Sequence, residues 1–104
     1  MDFEEIKQHV KDKKYLVSIH AEEELVKDGL TTKDVEEAIL SGEVIEERPK
    51  DPRGESRLVV GESSTGKCIH VVVGLRVGMP VIVTTYLPEE EEWEYGKIRK
   101  RRKL

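Results

Sequence analysis

Four side chains in this sequence have the chemistry of proton transfer or phosphate holding: His20, Arg57, His70 and Tyr86, with Thr84 two residues before the tyrosine. Metal-free cleavage of RNA needs that inventory. A base takes the proton of the 2′-hydroxyl, an acid protonates the leaving oxygen, and a cation holds the phosphate as charge builds on it. Imidazole suits the acid–base part because it ordinarily titrates near neutrality. Thr84 and Tyr86 share a face of one strand, so they could frame such a site. Each residue also has a plainer role. His20 could cap a helix, His70 could hydrogen-bond within a core, and Tyr86 could be an ordinary sheet residue. His9 belongs on the outer part of an amphipathic helix.

Two other chemistries can be weighed against their own requirements. The stretch from Gly61 to Cys68 nearly spells the phosphate-cradling pattern G-x-x-x-x-G-K-[ST]. That loop requires a helix after its lysine and a hydroxyl to reach magnesium. Here a strand follows Lys67 and Cys68 replaces the hydroxyl, so Gly66 reads as a hairpin tip and nucleotide binding is excluded there. Cys68 and His70 stand two apart on one strand and His20 could join them, but zinc sites use three or four ligands in recognisable pairs. No such pair occurs, and no cofactor motif is present. The single cysteine has no internal partner for a disulfide.

Charge is distributed unevenly. Among 104 residues, 18 are basic and 22 acidic, a net −4. Six of the basic side chains fall between Lys97 and Lys103, so residues 1–96 alone carry −10. Such a body repels a polyanion, whereas a nucleic-acid binder ordinarily presents a basic face. RNA would have to be met by Arg57 and the basic run, and an acidic protein partner could meet that run equally well. No basic, apolar leader opens the chain and no apolar run approaches a spanning helix, which points to a cytoplasmic protein away from membranes.

The elements that must position these residues follow from periodicity. Phe3, Ile6 and Val10 predict an amphipathic helix over residues 3–13. Tyr15-Leu16-Val17 reads as a short edge strand. Ser18 then caps a second helix with Ala21, Leu25 and Val26 inward, ending at Gly29. Thr31 and Asp34 form a capping box for a third helix carrying Val35, Ala38 and Ile39. From Val44 the period changes to two. Strands are predicted to about Arg48, from Arg57 to Glu62, from Lys67 to Leu75 and from Val81 to Leu87, mostly joined by short hairpins. The expected fold is α+β, with N-terminal helices packed on an antiparallel sheet of about four strands. One domain is expected over residues 1–96, with a basic, flexible tail over 97–104.

From Tyr15 to about Arg102 the ordered set of motifs resembles domain-of-unknown-function family 4258, a group of small bacterial and archaeal proteins. The set comprises Ser18-x-His20-Ala21, Gly29-Leu30-x-x-x-Asp34-Val35-x-x-Ala38-Ile39, Gly42-Glu43-Val44-Ile45-Glu46 and Arg57-Leu58-Val59-x-Gly61. It continues with Gly66-Lys67-x-x-His70-Val71 and Val73, then Thr84-x-Tyr86-x-Pro88 and Trp93. The resemblance implies the fold of the RelE and BrnT toxins, two helices on an antiparallel sheet. Through that wider group it implies a metal-independent, toxin-type ribonuclease with His20, Arg57, His70 and Tyr86 as its site. Where many relatives carry an arginine in the second helix, this chain has Glu22-Glu23-Glu24, which removes a cation from any phosphate pocket. Two alternatives stand beside it: a non-catalytic interaction or regulatory module, and a small-molecule binding domain using the same polar residues.

Overall fold

The computed structural model describes residues 1–89 and the backbone of two short strands, β6 (Trp93–Glu94) and β7 (Ile98–Arg99). The basic run expected as a tail over 97–104 therefore lies outside the described residues, apart from the backbone of Ile98 and Arg99. Three helices lead: α1 (Phe3–Lys11), α2 (Ile19–Asp28) and α3 (Thr32–Ser41). Their starts follow from local chemistry. The Asp2 carboxylate accepts the Glu5 N–H at 2.8 Å and opens α1. The Ser18 hydroxyl accepts the Ala21 N–H at 3.0 Å and opens α2, and Thr31 with Asp34 closes a reciprocal box on α3. Gly29, at φ 66°, ends α2 in the left-handed conformation that suits a residue without Cβ, and Leu30 folds back so that its N–H reaches the Leu25 carbonyl.

The sheet has five strands rather than four. β1 (Leu16–Val17), β2 (Glu43–Arg48), β3 (Ser56–Glu62), β4 (Cys68–Arg76) and β5 (Met79–Tyr86) lie in the order β1-β5-β4-β3-β2. β2 to β5 form the expected antiparallel hairpins, while β1 adds to the β5 edge in parallel, so the sheet is mixed. The short strand expected at Tyr15–Val17 is the fifth member; its parallel pairing with β5 is a long-range contact that no local pattern marks. β4 is central, and residues on both of its faces are buried.

The core lies between helices and sheet. Ile6, Val10, Ala21, Leu25, Val35 and Ile39 meet Val59, Ile69, Val71, Val73 and Ile82, all buried. Each of the valine, leucine and isoleucine side chains contributes about 1.5–3 kcal/mol on leaving water. Val26 departs from expectation: it is 83% exposed, because Ala21 and Leu25 define the inward stripe and residue 26 sits on the far side of the helix. The closest approach in the fold is α3 on β3. A Cβ on Gly61 would overlap the Ala38 carbonyl oxygen, and one on Gly42 would overlap the Ala38 and Val60 carbonyl oxygens. A smaller apolar set, Leu58 and Val72 with Ile45, Val83 and Tyr86, occupies the sheet face turned away from the helices.

A polar clasp ties the loop after α1 to α3. Glu36 accepts from Tyr15 Oη at 2.6 Å and pairs with Lys13 Nζ at 2.5 Å. Burial by itself would raise the Glu36 carboxyl, but the hydrogen bonds from Lys13 and Tyr15, with the charge of Lys13, outweigh it and hold it below its ordinary value. Burial, and then the bond to and charge of Glu36, push the Tyr15 phenol up, so it remains a donor. A carboxyl lowered in the fold stabilises in full above its ordinary value of 4.5 and loses that contribution as pH falls through the lower folded value. Glu36→Gln is therefore expected to cost about 1–2 kcal/mol at pH 7. Its deficit against the wild type should shrink as pH falls below 4.5, checked by chemical denaturation of both proteins between neutral pH and pH 3.

Candidate functional site

Alternation assigns every strand residue to a face, and two β-bulges alter the assignment where it matters. In β2 the register steps from Val44↔Val59 to Glu46↔Leu58, so Ile45 is an extra residue. Val44 packs into the helix-side core and Ile45 into the opposite face. Beyond the bulge Glu46 and Arg48 lie on the face away from the helices, and Glu47 turns toward them. In β5 the register steps from Val72↔Thr84 to Val73↔Ile82, leaving Val83 extra. Ile82 is therefore in the core, while Val83, Thr84 and Tyr86 lie on the opposite face. Bulges re-aim side chains in this way beside functional sites.

That face holds a cleft of about 260 Å³. Val72, Gly74, Val83 and Thr84 form its floor, with Ser56 and Arg48 from the neighbouring strands. Arg53, Asp51 and Glu55 come from the β2–β3 loop, Arg76 from the end of β4, and His20 from the first turn of α2. Gly74 keeps the floor low, since a Cβ there would press to 3.1 Å on a Val83 methyl. Within the cleft wall Arg48 pairs with Glu46 at 3.4 Å, and Arg53 lies 3.7 Å from Asp51. Three guanidiniums and an exposed imidazole surround one concavity, with the carboxylates of Asp51 and Glu55 in its lining and that of Glu46 paired to Arg48 beside it. Three arginines are thus gathered at one place on a body whose residues 1–96 are strongly acidic.

The structure separates the four residues singled out by type. His20 lines the cleft and is exposed. His70 and Tyr86 face each other across β4 and β5 on the same side of the sheet, beyond Val72 and Thr84, with ring centroids 5.1 Å apart. His70 is fully buried, so it underlies the face rather than opening on it. Arg57 is on the other side. It stands opposite Val73 and Glu47 in the ladder, and its Nη2 donates to the Met1 carbonyl at 2.6 Å, anchoring the start of α1. It does not join the histidines. The cation that does reach the cleft from the sheet is Arg48, which residue types did not single out; strict alternation from Val44 would have turned it inward. Among the described residues no three histidine, cysteine, aspartate or glutamate side chains are grouped to hold a metal ion.

Residues 17–87 match the pattern of a known family described as a domain of unknown function (DUF4258). The chain belongs to this family. No curated protein and no solved structure matches it. The matched span contains every residue that lines the cleft and leaves out α1. It thus includes Arg57 but not the Met1 carbonyl that Arg57 holds. Among the described residues no helix is long and apolar enough to cross a membrane.

Proposed function

We propose that this member of the DUF4258 family is a RelE/BrnT-like domain that binds RNA at the cleft and cleaves it without a metal, acting in the cytoplasm. The observation that carries this reading is the convergence of His20, Arg48, Arg53 and Arg76 on one concavity of an otherwise acidic body. A phosphate seated between Arg48 and Arg76 is held by planar donors matched to its oxygens. The Ser56 and Thr84 hydroxyls add neutral donors from the floor. His20 takes the proton of the 2′-hydroxyl. The 2′-oxygen forms a bond to phosphorus, the bond from phosphorus to the 5′-oxygen breaks, and that oxygen takes a proton from water. The products are a 2′,3′-cyclic phosphate and a 5′-hydroxyl. In this scheme His70 and Tyr86 support the face that RNA lies on, and Arg57 has a structural part.

The test is incubation of the purified protein with single-stranded and structured RNA in excess chelator, with His20→Ala alongside. Cleavage ending in cyclic phosphate, reduced about 100-fold or more in the variant, is the expected result. No cleavage, or equal cleavage by the variant, would sink the proposal. Gly74→Leu offers a charge-neutral check, since its side chain fills the floor and should block RNA while leaving every arginine in place.

A second reading, a non-catalytic protein-interaction module, draws on the outer face of α2. There Ile19 (76% exposed) and Val26 (83% exposed) flank Glu22 and Glu23, and this surface does not involve the cleft. An inactive wild type would favour it.

A further inference from the structure

We infer that Ser18 is the positioning residue that holds His20 over the cleft, an assignment resting on the RNA-cleaving reading above. Ser18 stands where β1 ends and α2 begins, and every polar group it has is engaged. Its N–H donates to the Ile82 carbonyl at 3.0 Å, and its hydroxyl donates to the Val83 carbonyl at 2.8 Å. The same hydroxyl oxygen accepts the Ala21 N–H at 3.0 Å, and its carbonyl accepts the Glu22 N–H at 3.0 Å. Two of these bonds go to β5 and two to α2.

The bonds to β5 land at the bulge itself. Val83 is the residue that the register skips, and it forms the cleft floor with Thr84. One hydroxyl therefore joins the backbone of the floor to the first turn of the helix, and His20 is two residues further on. A cap usually serves only its own helix. Here it also couples the helix start to the strand that carries part of the cleft floor. Reaction at phosphorus tolerates little error in the placement of the base, and a shift of about 1 Å can cost on the order of 100-fold in rate. Loss of the Ser18 hydroxyl removes both links while leaving the arginines that bind phosphate in place, so the effect belongs on turnover.

The experiment compares RNA cleavage by the wild type, Ser18→Ala, Ser18→Gly, Ser18→Thr and Thr31→Ala. Thr31 caps α3 in the same manner, and no residue of α3 lines the cleft. It reports what cap loss does when His20 is not involved. Ser18→Gly removes the hydroxyl with little penalty to the helix start, which keeps the comparison usable if the alanine variant folds poorly. Expected are a fall in kcat of about tenfold or more for Ser18→Ala and Ser18→Gly, with KM changed less than about twofold. Ser18→Thr should restore most of the rate, and Thr31→Ala should leave kcat at the wild-type level despite a similar loss of melting temperature. Equal kcat in the Ser18 and Thr31 variants would overturn the assignment while leaving the ribonuclease reading intact. A wild type that cleaves no RNA overturns both.

Discussion

Gly61→Ala should lower the melting temperature of this protein by on the order of 10 °C or more, the largest loss expected from adding a methyl group at any of the described glycines. The backbone of β3 at Gly61 lies directly under the last turn of α3, and a Cβ there would overlap the Ala38 carbonyl oxygen and crowd the Ala38 Cα. Neither obstacle is a flexible side chain that could swing aside. The helix would have to lift from the sheet, and with it Ile39 and Val35, which are buried to 1% and 3% exposure. Ser41 would move too, and its hydroxyl bridges to the Glu62 N–H and carbonyl at 3.2 and 3.1 Å. Overpacking typically costs about 1–3 kcal/mol, and a clash with backbone rather than side chain belongs at the upper end. For a domain of this size each kcal/mol is worth roughly 4–8 °C. Gly66→Ala makes the control, because a Cβ there meets nothing within 4 Å and only the positive φ of 83° is strained. Thermal unfolding followed by circular dichroism separates the two; a loss at Gly61 no larger than at Gly66 would show that α3 does not sit as closely as described.

Arg48→Ala and Arg57→Ala are expected to fail in opposite ways. The two arginines belong to paired strands and lie near each other in sequence register, Arg48 opposite Ser56 and Arg57 opposite Glu47. They point to opposite faces. Arg48 lines the cleft, and on the proposed RNA-cleaving function its loss removes a cation that meets developing charge on a phosphate, which typically costs about 100-fold to 1,000-fold in turnover. Its pairing with Glu46 is partly exposed and contributes little to folding. Arg57 instead donates to the Met1 carbonyl on the helix side. Removing that charged hydrogen bond should cost about 1–2 kcal/mol of stability, with cleavage at saturating RNA close to the wild type at low temperature. RNA-cleavage assays paired with denaturant titrations read both effects. If Arg57→Ala abolished cleavage in a folded protein, or Arg48→Ala left it intact, the placement of the site on the face away from the helices would be wrong.

Much of the scaffold was legible because its signals are local. Ser18, Thr31 with Asp34, and Gly29 mark helix ends through bonds spanning three or four residues, and the structure shows those bonds. The change from a period of 3.6 to 2 at Val44 marked the passage from helices to hairpins. Membership of the family could also be read, since Gly42, Gly61 and the capping residues are where the backbone admits few alternatives.

The site was legible only in part, for a physical reason. Residue type told which side chains could do chemistry and singled out His20, Arg57, His70 and Tyr86, with Thr84; of these only His20 and Thr84 line the cleft. Which of them meet depends on face, and face depends on parity along a strand. A single inserted residue inverts parity, and no local propensity marks Ile45 or Val83 as that residue. Those two bulges turn Arg48 and Thr84 to the cleft, and the ladder leaves Arg57 on the opposite side. The parallel docking of Leu16 and Val17 on β5 is likewise a long-range contact, and it brings Ser18 to the Val83 carbonyl. The chain alone determined the helices, the hairpin order and the stock of reactive groups. The pairing of distant strands decided which of those groups share one cleft.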